Sequence, residues 1–342
     1  MKRLTTTMLA CLLAVGLQPA VQAQQKRFTV TQTVATTSFA FLPVYVAEHM
    51  GYFAEEGVEL KTLRVQSAAA GVAATASGNV NYYLSSPAAG IQAAARGANV
   101  RLFAAVMTEY PGNIVVTKEV AARHRITDGT PLLQRLDALK GLKMAAHSPG
   151  SAPDQLLRYV VRAQNMNPES DLTILPITDT SILAAMEQKR IDGFSYSSPL
   201  ADTAVVRYGA RILLSLASGE FKPLAGLLSI AAVANKDWVE KEPEAAAAVA
   251  RAIWRGQLLL RSDPMKAREA ARKAFAGTEP AVFDQAFETN RRAFPDSPAL
   301  TRAMVERVYE FHRATGGQPI TAPVEQVFNN SAVELAAKTL KR

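Results

Sequence analysis

The sequence predicts an α/β protein of two doubly wound lobes joined by two hinge segments, with extra helices toward the C-terminus. Three observations carry this. Short apolar strands alternate with helical stretches at βαβ spacing in two separate runs. Between the runs lie Pro- and Gly-bearing segments, Thr108–Asn113 and Ser218–Pro223, which read as crossings. From Asp237 onward strand signals give way to helices, four with Pro near their start. The implied division is a leader at 1–23, one lobe from 24–112 with 225–342, and a second lobe from 113–224.

The leader has Lys2 and Arg3, an apolar run from Met8 to Leu17, and Val21-Gln22-Ala23. That is the pattern of a secretory signal peptide cut after Ala23. Its apolar run is too short to span a bilayer, and nothing later approaches ~18 consecutive apolar residues. The single cysteine, Cys11, lies inside it, and Met8-Leu9-Ala10 is a poor lipoprotein box. The mature protein is therefore expected to lack disulfides, thiolate metal ligands and cysteine nucleophiles. About 319 residues remain, enough for two lobes. Losing Lys2 and Arg3 takes two from the formal charge of +8. The remaining excess is scattered, with local clusters at Arg123–Arg125 and Arg291-Arg292. No basic stripe interleaves with aromatics, which argues against nucleic acid.

The first lobe opens with a strand at Arg27–Thr33, a loop at 35–43 and a helix at Val44–Met50. Pro43 suits the first turn of that helix and Gly51 its C-terminal cap. Strands Val58–Val65, Asn81–Leu84 and Val100–Val106 then alternate with helices Ala68–Ser77 and Pro87–Arg96, which predicts a mainly parallel sheet. In the second lobe Ile114–Lys118 is extended and Pro131–Leu139 is a short helix. Strands Leu142–Ala146, Leu172–Pro176, Gly193–Tyr196 and Arg211–Leu216 alternate with helices Pro153–Asn165, Ser181–Gln188 and Leu200–Tyr208. Leu227–Ala234 is a strand able to rejoin the first sheet. Helices Pro243–Arg261, Pro264–Phe275, Pro280–Ala293, Pro298–Thr315 and Ser331–Lys341 follow. Trp238 and Trp254 read as packing residues.

The most informative stretch is Leu142–Met166, a strand, a polar loop (His147-Ser148-Pro149-Gly150-Ser151) and an amphipathic helix. Ser151 followed by Asp154 makes a capping-box pattern, with Pro153 in the first turn. Free first-turn N–H groups, the helix dipole and the serine hydroxyls suit a carboxylate, sulfonate or phosphate oxygen. The plainer reading is that Ser151 only caps and Gly150 only turns. An internal echo bears on the choice: Ala73-Ala74, Asn81 and Ser85-Ser86-Pro87 parallel Ala184-Ala185, Asp192 and Ser197-Ser198-Pro199. In doubly wound sheets ligands sit outside the carboxyl ends of the strands, where these serines fall. Two ordinary serine caps would give the same pattern.

Loops 36–42, 85–89, 148–154 and 196–200 contain no Lys or Arg. A monovalent carboxylate or sulfonate suits such a site better than a phosphate. Phe39, Phe41, Tyr82, Tyr110 and Tyr196 are candidates for an apolar wall, or for lobe core. Glu109, Asp179 and Glu220 lie near the expected opening, as amine partners or as plain solvated acids. Ligand capture would close the lobes about the two crossings.

The chain resembles the periplasmic solute-binding proteins of bacterial ABC importers, in the nitrate/sulfonate/taurine and thiamine-pyrimidine-precursor-like group. The residues carrying this are Phe41-Leu42-Pro43-Val44-Tyr45-Val46-Ala47 with Gly51-Tyr52-Phe53 and Gly57; Gly78–Asn81 before Ser85; Leu139-Lys140-Gly141-Leu142 before Ser148-Pro149-Gly150-Ser151; and Ser198-Pro199. The resemblance implies a type II periplasmic-binding-protein-like fold, a ligand between the lobes and delivery to an inner-membrane permease by a monomeric periplasmic protein. It places Ser38, Phe39, Phe41, Ser85, Ser86, Ser148, Gly150, Ser151, Tyr196, Ser197 and Ser198 around that ligand. No cofactor is implied, and the expected role is not enzymatic.

His49, His124, His147 and His312 stand alone, without metal-ligand spacing. His147 adjoins the central loop and is a candidate ligand contact. No nucleophile elbow, Walker loop or dinucleotide fingerprint occurs. The alternatives are a secreted sensing module for a receptor and an enzyme of the same fold in pyrimidine or cofactor metabolism.

Overall fold

The computed structural model describes residues 27–340, so the signal-peptide reading falls outside the described residues. Ten strands build two five-stranded sheets: β1 (Phe28–Val34), β2 (Val58–Arg64), β3 (Tyr82–Ser85), β4 (Val100–Met107), β5 (Asn113–Val116), β6 (Lys143–Ala146), β7 (Thr173–Pro176), β8 (Gly193–Tyr196), β9 (Arg211–Ser215) and β10 (Ile230–Asn235). The orders are β2-β1-β3-β10-β4 and β7-β6-β8-β5-β9.

Both sheets are mixed rather than simply parallel. β10 runs antiparallel to β3 and β4, and β5 runs antiparallel to β8 and β9. These are the two strands delivered by the crossings. Each enters from the other sheet without the crossover helix that would return the chain to the same end. The expected alternation holds where such helices exist, as in the parallel β1–β2 ladder from Phe28↔Val58 to Val34↔Arg64.

The C-terminal helices complete the first lobe. In helix Pro243–Ser262 the residues Ala245 to Ala250 are all buried. Their small size lets this helix approach helix Leu42–His49 closely. At Gly256 a Cβ would lie 2.1 Å from the Pro43 carbonyl oxygen. Around this seam Phe39 stacks on Phe275 at 4.2 Å, and Tyr82, Phe103 and Trp238 form a second aromatic cluster. Trp254 is half-buried, its indole N–H donating to the Asp296 carbonyl at 2.6 Å.

Three segments depart from the sequence-based expectation. Leu227–Ser229 is not strand, because the Ser229 hydroxyl donates to the Glu109 carbonyl and ties the return crossing to the outward one. Lys118 ends no strand; it opens helix Lys118–Arg123, capped by Thr117, whose hydroxyl accepts the Val120 N–H. The helix expected from Pro298 starts at Arg302 under a Thr301 cap. Pro298 instead offers its carbonyl to the Ala105 N–H at 2.7 Å.

Helix Pro280–Asn290 belongs in sequence to the helical tail, yet it lies against helix Leu200–Tyr208 of the second sheet's layer. The Thr289 hydroxyl donates to Asp202 at 2.8 Å, and Arg207 pairs with Glu279 at 2.7 Å. Helix Arg302–Ala314 lies over the crossings, its Phe311 ring edge-on to Tyr110 and Tyr159 at 5.5 and 5.9 Å.

Candidate functional site

A cavity of about 400 Å³ lies where the two sheets face each other. The first sheet contributes Ser86, Pro87 and Ala88, which follow β3; the second contributes Ser195, Tyr196 and Ser197 from the end of β8. Ala152 and Pro153 enter from the helix that follows β6. The crossings add Tyr110–Gly112 and Leu227–Ile230, and helix Arg302–Ala314 closes one side with Val308, Phe311 and His312.

Two helix starts therefore open on one cavity from opposite sheets. Helix Pro87–Ala95 is preceded by Ser86 and helix Ala152–Ala163 by Ser151, and neither serine side chain caps its helix. Pro87 and Pro153 have no N–H. Ala152 and Asp154 donate theirs to no acceptor among the described residues. Neither bond of the predicted capping box forms, the Ser151 N–H going instead to the Ser148 carbonyl at 3.0 Å. Asp154 accepts the Gly150 N–H at 2.8 Å and pairs with Arg158 at 2.9 Å, while the buried Ser151 Oγ has no partner. Ser195 is fully buried in β8, and its Oγ too is unpartnered. Unused hydroxyls beside two positive helix ends make a site for oxyanion oxygens.

The lining contains no Lys, Arg, Asp or Glu. Burial pushes the Tyr110 phenol up to about 12, so it stays a neutral donor. Burial, with the Asp179 charge adding to it, also raises Tyr196, whose hydroxyl donates to the Ile177 carbonyl at 3.1 Å. Gly112 lets the crossing lie flat on the second lobe: a Cβ there would come 2.3 Å from Leu156 Cδ2.

The predicted site residues separate into three groups. Ser86, Tyr196 and Ser197 line the cavity, with Ser151 one residue outside it. Ser148 and Gly150 are exposed on the adjoining loop: Ser148 meets the His147 ring, and Gly150 turns the chain at φ +79°. The others lie outside the cavity lining. Phe39 is 1 % exposed and belongs to the core under the helical tail; Phe41 joins it against Tyr45. Ser38 is outside the cavity lining and caps their turn, its Oγ accepting the Ala40 N–H. Ser85 is buried within β3 opposite Ala231. Ser198 accepts a hydrogen bond from Asn290 at 2.8 Å, which turns it toward the helical tail. Tyr82 is also core. Of the loop acids, Glu220 pairs with Arg135, Glu109 accepts the Gly226 N–H at 3.0 Å, and Asp179 accepts the Thr180 N–H. Burial raises the Glu109 carboxyl despite that bond and the nearby Arg307 and Lys222.

Sequence reading missed Leu227, Leu228, Val308, Phe311 and His312. The one available signal was the spacing of Val308, Phe311, His312 and Thr315, a stripe on one helix face that reads equally as core. Ser195 was hidden by strand alternation, which does not say which buried hydroxyl lacks a partner.

Comparison with known proteins supplies the wider setting. The sequence profile of the NMT1-like family matches residues 30–275. The chain is 22% identical to the Putative binding protein YtlA of Bacillus subtilis (strain 168) over 335 residues, 95% of this chain and 96% of that one. The putative sulfonate-binding protein SsuA of Methylobacillus flagellatus KT superposes with a TM-score of 0.67 at 18% identity, over 92% of this chain and 96% of that one. The desulfurization enzyme DszB superposes with a TM-score of 0.64 at 14% identity, over 92% of this chain and 100% of that one. Two mixed sheets, two crossings and a helical tail are thus the shared fold, and the chain belongs to the NMT1-like family.

Proposed function

We propose that this protein is the periplasmic solute-binding component of an ABC importer, taking a small monovalent carboxylate or sulfonate with an apolar body and handing it to a permease. One observation carries the reading: two helix starts from opposite sheets, each with an unused serine hydroxyl, share a cavity that holds no charged side chain of the acidic or basic kind. Their donors hold the anion, while Tyr110, Leu227, Leu228 and Phe311 cover its body. The division at 112/113 and 224/225 makes closure a rotation about the crossings, favoured by the ligand only as far as it binds the closed form better. SsuA, named for sulfonate binding, supports the ligand class by likeness of fold.

DszB gives a second reading some footing, since an enzyme shares the fold and has been solved with biphenyl-2-sulfinic acid. No cysteine follows Cys11 in this sequence, so the described lining offers hydroxyls rather than a thiolate. Native mass spectrometry of co-purifying solute, then a thermal-shift panel of carboxylates and sulfonates, tests the binding reading. Incubating each hit with the protein should return it unchanged. Turnover of a hit would replace the importer reading with the enzymatic one, and a panel without any shift would remove the anion assignment.

A further inference from the structure

The helix Arg302–Ala314 presents Val308, Phe311 and His312 to the cavity, positions one helical turn apart on one face. No Lys or Arg lines the cavity, and His312 is the one imidazole in its lining. Its ring is held in place from two sides. Gln92 Nε2 lies 3.0 Å from His312 Nε2. Gly317 lies flat against the ring, where a Cβ would fall 2.2 Å from Cε1 and Nε2 and 2.5 Å from Nδ1. Nδ1 has no hydrogen-bond partner among the described residues.

Gln92 stands four residues beyond Ala88 on the helix whose start opens on the cavity. Gln92 is five residues beyond Pro87, ~7.5 Å along the helix axis from the anion-holding end, and meets the ring through its side chain. We propose that His312 is the specificity-determining residue of the cavity: it reads a second polar or anionic group at the far end of the ligand's apolar body. The favoured ligands are then two-ended acids rather than simple ones. Phe311 and Val308 flank the apolar span between the two ends. The inference rests on the solute-binding reading, since it assumes an anion at the paired helix starts.

The experiment is isothermal titration of the full mature chain with hexanoate and with adipate, which share a six-carbon skeleton and differ at one end. His312→Phe keeps the ring volume against Gly317 and removes both nitrogens; His312→Ala serves as a second variant. The wild type should bind adipate about tenfold more tightly than hexanoate, the scale of one charge-assisted hydrogen bond. Both variants should lose that preference, binding adipate no more tightly than hexanoate. A preference retained in both variants, or equal binding of the two acids by wild type, overturns the role of His312 alone. If wild type binds neither acid and Ser151→Phe leaves the thermal-shift panel unchanged, the solute reading falls with it.

Discussion

The two Ser-Ser-Pro turns invite direct comparison. Both end a buried central strand and begin a helix, and both follow the same helix–turn–strand pattern. In the first, Ser86 is exposed, lines the cavity and makes no capping bond. In the second, Ser197 lines the cavity, but Ser198 accepts from Asn290 and precedes a cis proline. Nothing in either tripeptide accounts for this. The difference comes from helix Pro280–Asn290, which lies over the second turn and helix Leu200–Tyr208; Thr289 and Asn290 supply the polar partners. A repeated sequence pattern thus records a repeated topology, while the neighbours assign each copy its work.

Several substitutions break or sharpen that contrast, and the largest effect belongs to a residue neither turn contains. Phe39→Ala should cost about 3–5 kcal/mol, seen in denaturant unfolding, because the ring is stacked in the core. Ligand affinity of the folded fraction should stay unchanged. Were Phe39 a cavity wall, the reverse pattern would appear.

Ser86→Phe and Ser151→Phe are expected to weaken anion binding by about a hundredfold or more in titration, by filling the space between the helix starts. The unfolding midpoint of Ser86→Phe should move little, since Ser86 is exposed and its hydroxyl holds no bond in the protein. An unaltered affinity in both would mean the anion sits elsewhere.

Asn290→Ala should cost about 1 kcal/mol of stability by removing the hydrogen bond Ser198 accepts. The effect on affinity should be under about threefold, in contrast to the Ser86 variant. Equal losses of affinity would show that the second turn also contacts ligand through Ser198.

The smallest expected effect is one of pH. Burial raises the Asp202 carboxyl above its ordinary 3.8, outweighing its bonds from Ser198 and Thr289. A carboxyl raised in the folded state contributes stability that is full below the unfolded value and lost as pH rises through the folded one. Stability should therefore decline above about pH 4 from this group, and Asp202→Asn should flatten that decline. Parallel pH profiles of melting temperature for the two proteins check the point.

Much was legible in the chain. Apolar period, Pro at helix starts and Gly after helix ends placed strand Gly193–Tyr196 and helix Leu200–Tyr208 at their observed bounds. The same signals placed most other elements within a residue or two. The candidate cavity was legible only in part: Ser86 and Ser197 line it and Ser151 adjoins it, and each could be singled out because a serine before a helix has a local meaning. Phe39 and Phe41 pack in the core rather than line the cavity, and an aromatic after a strand looks alike in sequence whether it faces a ligand or Phe275.

Local chemistry determined by itself the two runs of strand and helix, the places where the chain passes between them, and the serine-led helix starts. Which strand runs backward in each sheet, which serine keeps a free hydroxyl, and which imidazole reaches the cavity were decided only in three dimensions. The physical reason is that hydrogen bonds along one helix or turn act between near neighbours in sequence. Asn290 meets Ser198, and His312 meets Gln92, across 92 and 220 residues of chain, contacts that no local pattern encodes.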